Sequence, residues 1–333
     1  MLKIKNKMFL CFVLILAMCF FVACSKENEK GQSENNAEVN KIYNPFTGLV
    51  VKKMPAKPLV VSIDNNPDAR PQTGLSQADI VYEIPAEGGI SRYVAVFYGQ
   101  KVDVIGPVRS SRPYIIDVAR QWDALFVHAG GSNDAYVYLK KKVVDYLDEI
   151  YNSKYFWRDK SRKAPHNLYT STALLAEAIA DKGYKTGIEV EAYVWSEEAP
   201  AFAEPAAWVK IYYPSAKVEY EYDEASGLYL RYLKGDPCLD KGDGEQWKAA
   251  NVVVQRVSSK VLDSEGRLEI NLVGSGKAWL LRDGVVQEGT WKRTSPDSMT
   301  RYYDSNGNEW SLKPGQTWIQ MIDQNVKFTL PEE

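Results

Sequence analysis

The hydrophobic periodicity of the chain changes near Gly187, and this change constrains the fold more than any other feature. Before it, residues 112–122, 132–144 and 171–182 carry apolar side chains at helical spacing. Strands are predicted between these helices, at 58–64, 79–85, 93–98 and 124–128. After Gly187 only strands are predicted, at 208–213, 217–222, 228–233, 252–261, 268–273, 277–281, 285–291 and 318–322. The fold class is therefore predicted as α+β, with a mixed α/β domain at 42–190 followed by a mostly β domain at 200–331.

The N-terminus has the pattern of a secretory signal. Residues 1–23 begin with three lysines and continue in an apolar run of 16 residues, which is shorter than the roughly 18 to 20 that a spanning helix needs. The following Phe21-Val22-Ala23-Cys24 resembles a bacterial lipobox, which predicts lipid on Cys24. A plain anchor helix is the alternative. Residues 24–41 are polar and predict a flexible tether, so the body is placed on the outer face of the cytoplasmic membrane.

The balance of charges and the absence of known nucleotide-binding motifs exclude several classes of function. Lys and Arg number 41 and Asp and Glu number 43, a balance that does not suit a surface for nucleic acid. The sequence has neither a Walker loop nor a Rossmann glycine fingerprint, so no nucleotide cofactor is predicted. No cofactor of another kind is predicted either.

The two histidines of the chain lie in short loop-like segments of the first domain. His128 ends a predicted strand before Gly130-Gly131-Ser132, at the kind of sheet edge where α/β proteins bind ligands. Ser132 also begins a predicted helix, whose backbone N–H groups could hold an anion. His166 and Asn167 precede the next helix, where a turn with the imidazole bonded to backbone is an equally good interpretation.

Arginines and acids complete the candidate site. Arg70, Arg109 and Arg112 lie among Pro, Gly and Ser, a setting that can hold a guanidinium fork for carboxylate or phosphate. Asp64 and Glu87 are candidates for acid and base beside the histidines. A metal site is a minority hypothesis, because no helical ligand spacing is present. Glu83 and Glu87 could equally pair with Arg92, Arg109 or Arg112 inside the fold.

Several motifs together resemble the YerB-like bacterial lipoproteins. They are Asn44-Pro45-Phe46-Thr47-Gly48, the run from Ala69 to Arg92, Ile105-Gly106-Pro107-Val108-Arg109-Ser110, His128-Ala129-Gly130-Gly131-Ser132 and Ala164-Pro165-His166-Asn167-Leu168-Tyr169. The resemblance covers nearly all of the mature chain. It implies a lipoprotein with a mixed N-terminal domain and a distinct C-terminal domain, and it implies no settled activity.

Two functions are predicted from these residues. The first is a surface lipoprotein that binds an anionic envelope component, or a partner protein, through Arg70, Arg109, Arg112, His128, Ser132, His166 and Asn167. The second is an envelope hydrolase or transferase acting on peptidoglycan or another glycan, with Asp64 or Glu87 and a histidine as acid and base. A purely structural role for these residues is the third alternative, and it predicts large stability losses when Arg109 or His128 is replaced.

Overall fold

The computed structural model describes residues 41–187, 189–200 and 203–331. The predicted signal peptide at 1–23, Cys24 and nearly all of the tether lie outside the described residues. The chain divides into a small unit, described at 41–42 and 50–52, and a main unit that holds the other described residues. The large sheets, the site and the proposals described below lie in the main unit. None of the helices in the described ranges is long and apolar enough to cross a bilayer.

The described residues contain few helices, and these lie in the first half of the chain. The three α-helices of the described ranges are α1 (Pro113–Arg120), α2 (Asn133–Leu139) and α3 (Thr172–Lys182). Short 3-10 helices occupy Pro67–Ala69, Leu75–Gln77, Glu87–Gly89, Glu149–Tyr151 and Ser153–Tyr155. The sequence predicts α1 and α3 closely, since Pro113 starts α1 and Gly183 ends α3 in the left-handed conformation. α2 is shorter than predicted and ends at Leu139.

Strands make up most of the rest of the described residues. In the first half they are β1 (Ile42–Tyr43), β2 (Val50–Val51), β3 (Leu59–Ile63), β4 (Ile80–Pro85), β5 (Ser91–Phe97), β6 (Leu125–His128), β7 (Tyr146–Asp148), β8 (Trp157–Arg158) and β9 (Leu168–Tyr169). The next are β10 (Val194–Trp195), β11 (Glu204–Pro205), β12 (Trp208–Tyr213), β13 (Ala216–Asp223), β14 (Leu228–Leu233), β15 (Asp236–Pro237), β16 (Lys248–Ala249) and β17 (Asn251–Arg256). The last are β18 (Ser258–Val261), β19 (Leu268–Asn271), β20 (Gly274–Arg282), β21 (Val285–Arg293), β22 (Arg301–Asp304), β23 (Ser311–Leu312), β24 (Thr317–Ile322) and β25 (Lys327–Thr329).

One large sheet runs through both halves of the sequence. Its eleven strands follow the order β11-β21-β20-β17-β24-β4-β5-β3-β6-β7, with β22 beside β21. A second sheet of six strands, ordered β15-β14-β13-β12-β25 with β16 beside β14, contains only strands from the C-terminal half. The fold is thus α+β and mostly β, as the coarse prediction had it.

Strand β24 joins the two halves. It runs parallel to β17 on one side and parallel to β4 on the other, with Thr317 opposite Ile80 and Gln320 opposite Glu83. A strand near the end of the chain therefore completes the sheet of the first half. The predicted division into domains at 42–190 and 200–331 stays a prediction, and a continuous sheet crosses it.

The large sheet is buried on both faces. In β3, Val61 and Ile63 belong to one apolar cluster and Val60 to the other, as the two-residue period of a strand requires. The helix α1 covers the second face with Ile115, Val118 and other apolar residues. A continuous apolar run such as β3 is typical of a strand covered on both sides.

One strand prediction is wrong. Residues 252–261 read as a single strand, but the chain forms β17 and β18, which belong to different sheets. Val257 separates them and is buried, and its backbone N–H donates to Ile322 O at 2.8 Å. Valines occur on both sides of the bend, at Val254 and Val261 as well as at Val257, so the apolar pattern alone does not reveal it.

Candidate functional site

The candidate site lies at one edge of the large sheet, where three neighbouring parallel strands end. β3, β6 and β7 are parallel to one another, with Val61 opposite Val127 and His128 opposite Asp148. Asp64 follows β3 directly. In sheets of this kind the loops beyond the carboxyl ends of the strands form the usual place for a ligand.

Asp64 is the centre of this edge. Its side chain is 2% exposed, and its Oδ2 lies 2.7 Å from His166 Nδ1 and 3.3 Å from Arg109 Nε. The carboxylate only accepts, so the imidazole donates through Nδ1. Oδ1 accepts the backbone N–H of Asn66 at 2.9 Å. One buried carboxylate therefore fixes a histidine and an arginine that come from distant parts of the sequence.

Two further arginines donate hydrogen bonds to backbone carbonyls of the loop at 109–112. Arg92 donates from Nη1 to Ser110 O at 2.5 Å, and Arg112 donates from Nη1 to Ser111 O at 2.7 Å. Three guanidinium groups, including that of Arg109, therefore lie along one short loop. Their charges make this edge of the sheet locally cationic.

Glu87 is held by Arg112. The Nε of Arg112 donates to Oε1 of Glu87, and both side chains are partly buried. Burial alone would raise the pKa of Glu87, but the hydrogen bond and charge of Arg112 outweigh it, so the pKa lies below its usual range. Glu87 is an ionised partner of an arginine in this arrangement, which suits it poorly to act as a general acid.

Arg70 and Asn167 have partners within their own neighbourhoods. Arg70 donates from Nε to Asn65 Oδ1 at 3.0 Å and from Nη2 to Asn65 O at 2.8 Å. Asn167 donates to Asp159 O and accepts from Arg158 Nη1 at 3.1 Å. Both residues shape the loops around Asp64. Their role as ligand contacts stays a prediction.

His128 is buried inside the edge. It is 0% exposed, and its ring stacks between Phe126 and Tyr146 with centroids 4.9 and 5.8 Å away. Nδ1 donates to Gly130 O at 2.9 Å, while Nε2 is buried without a hydrogen-bond partner among the described residues. Burial lowers the pKa of His128, although the negative charge of Asp148 acts to raise it. The imidazole is therefore neutral at neutral pH.

Ser132 caps helix α2 and also lines a cleft. Its Oγ accepts the backbone N–H of Ala135 at 3.2 Å, which satisfies one of the free donors of the first turn. The cleft, of about 800 Å³, lies between α1, α2 and the β18–β19 hairpin. Arg112 and Tyr114 also line it. Ligand sites commonly have volumes in this range.

No group of three or more His, Cys, Asp or Glu side chains in the described residues is arranged to hold a metal ion. The acids of the site are instead engaged by cations or by backbone. Asp64 and Glu87 bind Arg109 and Arg112, respectively.

Two family models match the chain, each described as a domain of a protein of unknown function. The DUF3048 N-terminal domain matches residues 46–185, and the DUF3048 C-terminal domain matches residues 209–319. The chain belongs to the DUF3048 family. This confirms the resemblance to the YerB-like proteins, because the Bacillus subtilis (strain 168) protein named "Putative lipoprotein YerB" is 33% identical over 321 residues, covering 94% of this chain and 93% of the relative.

A solved structure has the same fold. The crystal structure of the YerB protein from Bacillus subtilis superimposes with a TM-score of 0.79 at 32% identity, and it covers 87% of this chain and 100% of the crystallised one. The description of the DUF3048 family states no activity. The chemistry of this family member therefore has to be argued from its own side chains.

Two arginines of this DUF3048 chain are not among the predicted site residues. The sequence predicts Arg92 only as an alternative partner for an acid, and it predicts no role for Arg231. Arg231 is 0% exposed and pairs with Glu83 at 2.8 Å between Nη2 and Oε2. One signal was available for Arg92. Alternation in β5 puts it on the same side as Val94 and Val96, which marks an inward charge.

Proposed function

We propose that this protein is an extracytoplasmic lipoprotein, anchored through lipid on Cys24 at the outer face of the cytoplasmic membrane. The name of the Bacillus subtilis relative supports a lipoprotein, and the N-terminal pattern of lysines, an apolar run and Cys24 supports the same location. We further propose the two-part layout, with a mixed domain at 42–190 and a mostly β domain at 200–331. The confinement of α1 to α3 to the first part supports this layout.

We propose that the protein binds an anionic component of the cell envelope at the edge around Asp64. The observation that carries this proposal is that Asp64 anchors both Arg109 and His166. Arg109 is 28% and His166 14% exposed, so both reach the surface. Within the described ranges, no hydrogen bond or ion pair engages Arg109 Nη1, Arg109 Nη2 or His166 Nε2.

This geometry suits an oxyanion. Asp64 holds the two cationic or donating groups from behind, which restricts their rotamers before a ligand arrives. Hydrogen bonds from a guanidinium to phosphate or carboxylate are about twice as strong as neutral ones. Binding therefore gains from groups that are already oriented.

One observation favours the enzyme alternative. The 2.7 Å contact between Asp64 Oδ2 and His166 Nδ1 orients the imidazole with Nε2 outward, which is how a carboxylate positions a general base. A hydrolase or transferase would use His166 as that base on a wall glycan or peptide. A nucleophilic side chain beside Nε2 does not occur among the described contacts, so the base would activate water or a substrate hydroxyl.

The binding proposal is tested by thermal unfolding of the full chain in detergent, with and without phosphate, at constant ionic strength. An anion that binds only the native state raises the melting temperature. We expect Arg109→Gln and His166→Gln to fold and to lose most of this rise. Arg301→Gln is the matched control, because Arg301 pairs with Glu191 and Glu309 instead. A full phosphate response in Arg109→Gln would contradict the proposal.

The enzyme alternative is tested separately by incubating the protein with purified peptidoglycan. Release of soluble fragments by the wild type, and not by His166→Gln or Asp64→Asn, would support it. Equal release by wild type and His166→Gln would exclude His166 as the base.

A further inference from the structure

Arg92 is a buried arginine with very few partners. It is 5% exposed and lies in β5, and its one hydrogen bond in the described structure runs from Nη1 to Ser110 O. Within the ranges that the structure describes, no carboxylate oxygen lies within 4.0 Å of its guanidinium. A guanidinium carries five N–H donors, so most of the donors of Arg92 have no protein acceptor among the described residues.

The other buried arginines are satisfied. Arg231 pairs with Glu83, and Arg282 pairs with Asp283 at 2.7 Å. Arg293 lacks a carboxylate partner in the described residues but donates to three backbone carbonyls, of Asp117, Ser295 and Pro296. Arg92 therefore differs from its three counterparts in having a single acceptor.

The surroundings of Arg92 make its charge unfavourable in the free protein. Burial lowers the pKa of Arg92, and neighbouring Arg112 lowers it further by repulsion. Tyr114, Glu87 and Asp64 favour the charged form, but the two carboxylates pair with Arg112 and Arg109 and lie more than 4.0 Å from the guanidinium of Arg92. A buried charge without a partner is costly, and proteins usually provide one.

We infer that Arg92 binds an oxyanion group of the ligand, either a phosphate or a carboxylate. This oxyanion supplies the acceptors that the fold itself does not provide. This inference rests on the proposed function and assigns a residue that the Asp64 cluster does not contain. The oxyanion would lie near Ser110 and Arg112. Arg112 also lines the cleft of about 800 Å³, which offers room for the remainder of the ligand.

The decisive variant is Arg92→Met, which keeps the length of the side chain and removes its charge. If Arg92 awaits an anion, replacing it by an apolar residue raises the melting temperature of the anion-free protein, as replacement of buried ions often does. The same variant must lose the stabilisation by phosphate. A structural role predicts the opposite sign, namely a lower melting temperature with the phosphate response retained.

The experiment compares wild type, Arg92→Met and Arg92→Lys as full chains in detergent, each in chloride, phosphate and acetate at about 50 mM and equal ionic strength. Stabilisation of the wild type by phosphate alone indicates a phosphate ligand, and stabilisation by acetate as well indicates a carboxylate. We expect Arg92→Lys to bind the effective anion at least tenfold more weakly, because ammonium lacks the planar fork. If Arg92→Met does not fold, Arg92→Lys decides, and wild-type affinity in that variant overturns the inference.

The two proposals fail in different ways. Loss of the anion response in Arg109→Gln but not in Arg92→Met overturns the inference on Arg92 and leaves the proposed site intact. Loss in Arg92→Met but not in Arg109→Gln keeps Arg92 and removes Arg109 from the site. If neither phosphate nor acetate raises the melting temperature of the wild type, the assignment of Arg92 is overturned.

Discussion

Arg92 and Arg231 are both buried arginines, the first in β5 of the large sheet and the second in β14 of the second sheet, and they differ in the groups that surround their guanidinium ions. Arg231 is enclosed by an acid and by aromatic rings, whereas Arg92 has one carbonyl. The comparison shows that burial alone does not tell a structural charge from a functional one. What distinguishes them is whether the fold itself supplies the opposite charge.

The partners of Arg231 come from both halves of the chain. Its guanidinium donates to Glu83 Oε2 at 2.8 Å and to the hydroxyl of Tyr93 at 3.0 Å. Its carbon lies 5.0 Å from the ring of Trp318 and 5.4 Å from that of Trp247, within the range of cation–π attraction. The enclosed arginine therefore links β4 and β5 to the C-terminal strands.

The largest effect that we predict comes from breaking the pair around Arg231. Arg231→Met leaves the Glu83 carboxylate buried without its cation, which should lower the free energy of unfolding by about 3–5 kcal/mol. Urea unfolding followed by tryptophan fluorescence measures it. The double variant Glu83→Gln, Arg231→Met should recover a large part of the loss. Wild-type stability of the single variant would show that Arg231 does not stabilise the fold, and the contrast with Arg92 would then be lost.

Asp79 extends the comparison to a buried acid for which the described residues supply no cation within 4.0 Å. It accepts from Asn44 Nδ2 at 2.8 Å and from the backbone N–H of Tyr98, and burial raises its pKa to about 7. Since the unfolded value is 3.8, this group stabilises the fold at low pH and loses that contribution as pH rises towards 7. The upper limit of the loss is about 4 kcal/mol.

The Asp79 effect is measured by urea unfolding at pH 5 and pH 8. We expect a decrease in the wild-type unfolding free energy across this range that is larger than in Asp79→Asn. Only the pH dependence is compared, because an amide also changes the hydrogen bonds to Asn44 and Tyr98. Identical pH dependence in the two proteins would show that Asp79 stays ionised.

His128 should give a pH effect of the opposite sign. Burial lowers its pKa below 6.5, so the stability that it contributes is present above that value and is lost as pH falls through 6.5 and below. The charge of Asp148 and the hydrogen bond to Gly130 O favour the charged form and oppose this shift. His128→Phe should reduce the loss of stability between pH 7 and pH 5. A wild-type profile in this variant would show that His128 does not titrate in that range.

The smallest predicted effect separates capping from ligand binding at Ser132. Ser132→Ala removes the hydrogen bond to Ala135 N and should lower the free energy of unfolding by about 1 kcal/mol. The phosphate response should stay at the wild-type level. Ser132→Asn, which can still cap, is the control and should restore stability. A lost phosphate response in both variants would instead make Ser132 a ligand contact.

Local patterns predicted the elements well and the contacts poorly. Strands such as β12 and β14 follow directly from alternation, and the cap residues Ser171 and Gly183 mark the ends of α3. Nothing local shows that Glu83 meets Arg231, because that contact depends on how two distant strands are brought together. Asp64 and His166 were both named as candidates, but only the fold shows that they touch.

The position of β24 fixes an order of events during folding. The outer edge of β4 is completed only when residues 317–322 are available, since Ile80 pairs with Thr317. Contacts between segments so far apart form slowly. Until then the strand offers unpaired backbone groups to any neighbouring chain. The sheet of the first half is therefore exposed to misassembly until a strand from far along the chain has paired with it.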